Sequence, residues 1–305
     1  MNLITPDPWS ELRSLTPARI ALGRTGASQP TEALLAFGLA HAQARDAVHT
    51  PLQTDALAAD LAADGWTVLQ AHSRAPDRAH YLRRPDLGRR LDEASVQRLR
   101  GYTPPSARPS ADQHAGQGTG FSGEAGPGPA RGQVVFVVAD GLSATAVQRH
   151  ARPLLQAARS ALRQAQADLS DRSCTIDPSD AAFELGPVVI AQQARVALGD
   201  EVGECLDAQV VVLLVGERPG LSSPDSLGIY LTWAPRVGRL DSERNCISNI
   251  RPEGLPYTQA AAILAGLLAG ARRLGASGIA LKDETTPVLG ANSVSALAST
   301  ETPPS

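Results

Sequence analysis

The sequence predicts an α/β protein in which a mainly helical amino-terminal region precedes a three-layer α/β domain. Residues 210–215 form an uninterrupted aliphatic run, which is typical of a strand covered on both faces. Residues 134–139 and 188–191 repeat the pattern, and helical segments separate the three runs. Such alternation indicates right-handed crossovers between parallel strands. Function is expected just beyond the carboxyl ends of these strands, where open α/β sheets bind ligands.

Composition limits the class of protein. With 305 residues the chain can bury a sizeable core, and 43 % hydrophobic with 19 % charged residues is typical of a soluble globular protein. No apolar run approaches the roughly 20 residues of a membrane helix, and the first residues lack the pattern of a secretory signal. We therefore expect a cytoplasmic protein without a membrane span. The net charge of -3 predicts no nucleic-acid partner.

The amino-terminal region reads as a series of helices. Thr16 and Pro17 predict a short helix over residues 18–22. A longer helix opens at Pro30, and residues 54–63 predict another, followed by a short strand at 66–70. One face of the longer helix collects the apolar residues Leu34, Leu35, Gly38, Leu39 and Ala42. On another side, His41, Arg45 and His49 favour a solvated or partner-facing surface over a metal site.

Two polar segments follow. Four arginines surround a Pro-Asp turn at residues 83–90, where they could bind an anion, pair with carboxylates of another chain, or form a solvated loop. Residues 103–132 are rich in Pro, Gly and Ser and lack the apolar surface that offsets ordering entropy, which predicts a disordered linker. The linker divides residues 1–102 from a second unit, residues 133–283, and residues 284–305 predict a flexible tail.

The second unit begins with a strand, a βα turn and a long helix over residues 144–167. Ser143 is the predicted N-cap, and Asp140 at the strand tip is expected to face the positive end of this helix. A helix over residues 194–206 follows the second strand. Beyond the third strand we expect strands at 228–233 and 246–250, then a helix capped by Thr258 and ended by Gly275. The turns lack the glycine patterns of dinucleotide and P-loop sites.

Candidate site residues lie near these strand ends. Glu217 follows the focal strand between glycines that let a large ligand approach the backbone; the alternative is a partly exposed glutamate paired with Arg218 or Arg236. From the residues alone, Val196, early in a predicted helix, and Cys246, at the start of a strand, would ordinarily be core residues. Hydrolytic chemistry is not favoured, because no serine elbow or linear triad is present. Cys174, Cys205 and Cys246 are too widely spaced to predict a disulfide framework or a zinc site.

Six segments, in order, carry a family resemblance: RIALGR (19–24), HAQARD (41–46), YLRRPDLGRR (81–90), VADGLS (138–143), GERPGL (216–221) and CISNI (246–250). Through them the chain resembles the light (small) subunit of ethanolamine ammonia-lyase. The resemblance implies an adenosylcobalamin-dependent lyase that converts ethanolamine to acetaldehyde and ammonia by radical chemistry. It also implies that a Rossmann-like domain of this chain covers one side of the cofactor, against a large catalytic subunit.

The resemblance further assigns residues. Val196, Glu217 and Cys246 match the family's cobalamin contacts, whereas substrate-binding residues belong to the large subunit. No catalytic residue and no metal ligand is therefore expected on this chain, which should be inactive alone. The Asp-x-His-x-x-Gly pattern of proteins that replace the cobalamin base with histidine is absent, which predicts base-on cobalamin. The alternative is a non-catalytic assembly subunit that does not contact cofactor. Whether the complex enters a bacterial microcompartment is left open by the sequence.

Overall fold

A mixed sheet of six strands organises the computed structural model, which describes residues 4–104, 132–171 and 183–281. Nearly all of the predicted linker, all of the predicted tail and Cys174 lie outside these residues. The strands lie in the order β1-β3-β2-β4-β5-β6. Their bounds are β1 Val68–His72, β2 Gln133–Ala139, β3 Glu184–Gln192, β4 Val210–Gly216, β5 Leu227–Trp233 and β6 Arg244–Ile250.

Strand direction reverses twice across the sheet, at β4–β5 and at β5–β6. Strands β1, β3, β2 and β4 are parallel, which confirms the parallel arrangement predicted for the three aliphatic runs. Strands β5 and β6 complete the sheet in antiparallel pairing with β4 and with each other. Both form where the sequence predicts strands, and the connections that precede them are short enough for antiparallel neighbours.

Seven α-helices occur in the described part of the chain. They are α1 Thr31–His49, α2 Thr54–Ala63, α3 Arg78–Arg83, α4 Glu93–Arg100, α5 Ala144–Asp171, α6 Leu198–Cys205 and α7 Tyr257–Leu274. None of them combines the length and apolar character required to cross a membrane. Gly275 ends α7 in a left-handed conformation at φ 67°, as the sequence predicts for a glycine stop.

One predicted helix does not form, and two predicted helix starts are wrong. Residues 18–22 are not helical, and a 3-10 helix forms just before them at Ser10–Leu15. Pro256, rather than Thr258, is the N-cap of α7. Helix α6 begins at Leu198 instead of residue 194, and the residues before it form a turn after Gln193, whose φ of 52° is left-handed.

Both faces of the sheet are covered by helices. On one face Phe136 of β2 packs in a core with residues of α2, α5 and α7. On the other face Val135 and Val137 share a second core with residues of α4 and α6. Successive side chains of a strand point to opposite faces, so a strand between two cores must be apolar at every position. This is why β2 and β4 read as continuous aliphatic runs.

The amino-terminal region is part of the same sheet. Strand β1 pairs with β3 from Val68↔Val188 to His72↔Gln192. Beside it, Trp66 packs edge-on against Phe136, with ring centroids 5.6 Å apart. The sheet therefore includes strands from both sides of residues 103–132, and the amino-terminal region contributes an edge strand in addition to its helices.

Candidate functional site

The carboxyl ends of the parallel strands meet at a cavity. The chain passes from β2 to β3 on one side and then to β4 on the other, so the loops after these strands diverge at β2 and leave a crevice. A cavity of about 400 Å³ lies there. It is lined by Tyr81, Gly141, Leu142, Ala194, Arg195, Val196, Val215, Gly216, Glu217, Arg218 and Tyr230. Two of the three predicted site residues, Val196 and Glu217, thus line one cavity.

Glycines bring the loops after β2 and β4 into contact at the floor of this cavity. The N–H of Leu142 donates to the carbonyl oxygen of Gly216 at 2.9 Å. A Cβ on Gly216 would lie 2.0 Å from the carbonyl oxygen of Ser143, and one on Gly141 would lie 2.3 Å from that of Gly216. Gly141 also has a φ of 56°, which favours glycine. The close approach therefore depends on both residues.

Glu217 is held by its own chain in a half-buried position. Its carboxylate accepts hydrogen bonds from the Ser226 hydroxyl and, at 3.3 Å, from the backbone N–H of Asn249. Its side chain lies over Gly228, where a Cβ would come within 2.8 Å of the carboxylate. Among the ion pairs of the described residues, none joins Glu217 to Arg218 or Arg236. Glu217 is thus partly exposed, as in the alternative reading, but its partners are Ser226 and Asn249 and not an arginine.

Val196 lies in a turn, not in a helix as the sequence predicts. The preceding Arg195 packs its guanidinium on the Tyr81 ring, 4.4 Å from the centroid, and donates to the Tyr81 carbonyl oxygen at 3.1 Å. Burial, followed by the charge of Asp140, raises the pKa of Tyr81 to about 12. Tyr81 therefore presents a neutral phenol at physiological pH, and its aromatic ring supports this wall of the cavity.

Cys246 flanks the cavity. It lies opposite Tyr230, a lining residue, in the β5–β6 pairing, and it occupies the interior of β6 instead of its first position. The side chain is exposed, so Cys246 is not a core residue in this chain. Burial, and then the Cys246 thiol, raises the pKa of Tyr230 to about 12. The structure thus places Val196 and Glu217 in the cavity lining and Cys246 beside Tyr230, which also lines the cavity.

Asp140 differs most from its predicted role. Its carboxylate accepts from the backbone N–H groups of Gln193 and Ala194, at 2.9 and 3.0 Å, and not from the start of α5. Ser143 caps α5 as predicted, accepting from the N–H of Ala146 at 3.2 Å. Sequence reasoning also missed Tyr81 and Tyr230 as cavity residues. The sequence shows that Asp140 lies at the tip of a strand, but the loop whose N–H groups it accepts from lies more than fifty residues away.

The arginine-rich turn pairs partly within the chain. Arg84 donates to Asp86 through two hydrogen bonds of 2.9 and 2.8 Å. Arg90 makes a bidentate contact of 3.0 and 2.9 Å with Glu201 of α6. These contacts tie the turn to the protein and reduce the positive charge available to an anion. No group of three or more possible metal ligands occurs in the part of the chain that the structure describes.

Comparisons with known proteins agree on one family. The family described as ethanolamine ammonia-lyase light chain (EutC) matches residues 6–282. The ethanolamine ammonia-lyase small subunit of Pseudomonas aeruginosa is 51 % identical over 278 residues, which cover 91 % of this chain and 88 % of the relative. The small subunits of Azotobacter vinelandii and Ralstonia nicotianae are 50 % and 49 % identical, and each alignment covers 92 % of this chain and 90 % of the relative.

Proposed function

Because the chain belongs to the ethanolamine ammonia-lyase light chain family, we propose that it is the subunit that forms one wall of an adenosylcobalamin site. The large catalytic subunit forms the other wall. The observation that carries this proposal is the cavity at the ends of β2, β3 and β4, which is lined by Val196 and Glu217 and flanked by Cys246. In this proposal the doubly covered sheet is the Rossmann-like domain implied by the sequence.

The polar atoms around the cavity suit a corrin. Arg195 Nε and Gln193 Oε1 are buried without a hydrogen-bond partner among the described residues, and so is Nη2 of Arg78, which packs on Tyr81. Buried polar groups normally find partners. Of these three residues Arg195 lines the cavity, and an amide oxygen of a corrin could accept from its Nε.

The size of the cavity supports a shared site. Pockets that enclose most of a drug-sized ligand have volumes of roughly 300–1,000 Å³, and a cobalamin is far larger than such a ligand. A cavity of about 400 Å³ can therefore cover only an edge of the macrocycle. The rest of the cofactor must be enclosed by another surface, as expected for a site between two subunits.

Each residue has a distinct part in this proposal. The Glu217 carboxylate, held by Ser226 and Asn249, keeps lone pairs free to accept from an amide N–H of the corrin. Val196 and Cys246 offer small apolar surfaces against which the macrocycle can lie. The bound cofactor supplies the radical chemistry by which ethanolamine becomes acetaldehyde and ammonia, and this chain orients the cofactor and excludes water from one side.

The proposal keeps cobalamin base-on. Within the described residues, no histidine lines the cavity, so none is in a position to replace the cofactor's own base. It also places substrate binding on the large subunit, so that the purified chain alone should produce no acetaldehyde from ethanolamine.

Helix α1 is the proposed docking element for the large subunit. Leu34, Leu35, Phe37 and Leu39 are exposed, whereas only Ala40 and Ala47 of this helix are buried. Contiguous apolar patches of this kind usually mark protein interfaces. The same observation favours the alternative function, in which the chain is an assembly subunit that docks the large subunit without touching cofactor.

Glu217→Ala separates the two functions. The chain is co-expressed with a matching large subunit, and cobalamin binding is followed by corrin absorbance of the purified complex. Weaker cobalamin binding with an intact complex supports the proposed role, and unchanged binding supports the assembly role. Glu253→Ala is the matched control, because Glu253 is an exposed glutamate outside the cavity lining.

A further inference from the structure

We propose that Asp140 is a positioning residue that sets the Val196 wall of the cavity. It does so by holding the loop between β3 and α6 against the end of β2, while making no contact with cofactor itself. This inference rests on the proposed function, because its consequence for binding requires that Val196 and its neighbours face the cobalamin.

The carboxylate of Asp140 is fully engaged with this loop. Asp140 is 3 % exposed, and each of its oxygens accepts one backbone N–H: Oδ2 that of Gln193 and Oδ1 that of Ala194. Gln193 has a φ of 52°, a left-handed conformation that is unfavourable for a residue with a side chain. Without the carboxylate, two N–H groups would lose their partner and the strained turn would lose its support.

The other side of the loop rests on the amino-terminal region. The Tyr81 hydroxyl donates to the Ala194 carbonyl oxygen at 3.3 Å, and the Arg195 N–H donates to the carbonyl oxygen of Gly88 at 2.8 Å. A Cβ on Gly88 would lie 2.8 Å from Cγ of Arg195, so this contact is close. The loop is thus clamped between Asp140 and the Tyr81–Gly88 segment, and Val196 follows directly.

Asp140 is not required to join the strands themselves. The pairing of β2 and β3 already extends to Ala139↔Ala191, and both side-chain bonds of Asp140 reach beyond the ladder into the loop. The loss of these bonds should therefore displace the loop while the sheet remains paired. A residue with a purely structural role would affect the sheet and the loop together.

Arg78 completes the arrangement. One guanidinium nitrogen lies 3.6 Å from Oδ2 of Asp140 and donates to the Gly141 carbonyl oxygen at 2.8 Å. The Arg78 Nε donates to the carbonyl oxygen of Val48, near the end of α1, at 2.7 Å. Arg78 therefore links Asp140 and the turn after it to the proposed docking helix.

The test uses the complex with the large subunit and the variants Asp140→Asn and Asp140→Leu. Asparagine retains one acceptor and leucine retains none. We expect the Kd for cobalamin to rise about ten- to hundredfold in the asparagine variant, by analogy with residues that orient metal ligands, and further in the leucine variant. The KM for adenosylcobalamin should rise, with kcat at saturating cofactor retained.

A second measurement needs no cofactor. Hydrogen exchange in the complex without cobalamin should be faster at residues 193–196 of the Asp140→Asn variant and unchanged in β2 and β4. Asp64→Asn is the control, because Asp64, at the end of α2, likewise joins two separate segments, by accepting two hydrogen bonds of 2.8 Å from Arg152, but lies outside the cavity lining. Unchanged cobalamin affinity in both Asp140 variants would overturn the inference. The inference would also be overturned if the Asp140 variants lost no more cobalamin affinity than Asp64→Asn does for the same decrease in melting temperature.

Failure of the inference can be separated from failure of the proposed function. If Glu217→Ala and Val196→Asp weaken cobalamin binding but the Asp140 variants do not, only the positioning role is wrong. If none of these changes alters cobalamin binding, the cavity is not a cofactor site, and both proposals are overturned.

Discussion

The central strands and helix α1 use apolar residues in opposite ways. Every residue of β2 and β4 is buried between two helix-covered faces. In the 19 residues of α1, only two alanines are buried, while Leu35 and Leu39 are 69 % and 62 % exposed. The sheet therefore completes its core within this chain, whereas α1 presents exposed apolar residues, which are the proposed docking surface for the large subunit. Stability should depend on the strands, and assembly on the helix.

The largest expected effect is at the sheet, where Arg244 opens β6. Its guanidinium and the Asp200 carboxylate form two hydrogen bonds of 2.5 and 2.7 Å, and both side chains are 2 % exposed. Arg244→Met would leave a buried carboxylate unpaired, which should lower the free energy of unfolding by about 3–5 kcal/mol. Urea denaturation of the parent and the variant measures this change in the free energy of unfolding. Arg84→Ala, which removes an exposed pair with Asp86, should leave the free energy of unfolding nearly unchanged.

The second prediction tests the core of β4 directly. Leu214 is 1 % exposed, and truncation to alanine removes buried methyl groups and leaves a cavity. Leu214→Ala should reduce the free energy of unfolding by about 2–5 kcal/mol. A thermal melt of the variant that overlays the parent would contradict the assignment of this strand to the core.

The third prediction applies the same logic to α1. Leu35→Ser should alter the free energy of unfolding of the isolated chain by less than about 0.5 kcal/mol, because the exposed side chain buries little apolar surface within this chain. Association with the large subunit should weaken at least tenfold, which corresponds to about 1.4 kcal/mol. Titration calorimetry or co-elution measures the association. Gln43→Ala, an exposed polar change on the same helix, is the control, and equal behaviour of the two variants would exclude α1 as the docking element.

The smallest expected effect concerns the link between α5 and the segment before β5. Asp225 accepts from Arg149 at 2.9 Å and lies 3.3 Å from Nε2 of His150. Burial alone would raise the pKa of Asp225, but the Arg149 hydrogen bond and the His150 charge outweigh it, so that the pKa lies below its usual value. The pair therefore stabilises the fold above the unfolded pKa of about 3.9, and this contribution is lost as pH falls through the folded pKa.

Asp225→Asn should remove that dependence. We expect a loss of about 1 kcal/mol at neutral pH and a shallower decline of stability below about pH 4. Melting temperatures of the parent and the variant across the acid range would measure the difference. If the melting temperatures of both proteins fell equally with pH, Asp225 would not contribute to the loss of stability in acid.

The part of the site that lies along one stretch of chain could be predicted from the sequence. Glu217 follows an apolar strand, and the surrounding glycines point to a close approach, so its place at the edge of the sheet is a local property. Its partners are not local. Ser226 and Asn249 reach the carboxylate through the turn to β5 and through β6, whose antiparallel pairing no local pattern specifies.

Val196 illustrates where local reasoning is wrong. Its segment has the composition of a helix start, yet Val196 lies in a turn, Gln193 has a left-handed φ of 52°, and α6 begins only at Leu198. Near the amino terminus, the helix predicted over residues 18–22 does not form, and a 3-10 helix occurs before these residues, at Ser10–Leu15. In both segments, weak local helical preference competes with other backbone contacts that the sequence pattern does not reveal.

The sequence by itself determined which segments are buried strands, where their carboxyl ends lie, and to which family the chain belongs. Uninterrupted apolar runs and the order of the motifs are properties of consecutive residues, so they can be identified without the structure. Only the tertiary structure decided that β1 joins the sheet beside β3, that Asp140 holds the Val196 loop, and that α1 keeps its apolar residues exposed. These features depend on contacts between residues far apart in the chain, and such contacts form only when packing and hydrogen bonding are satisfied together across the whole fold.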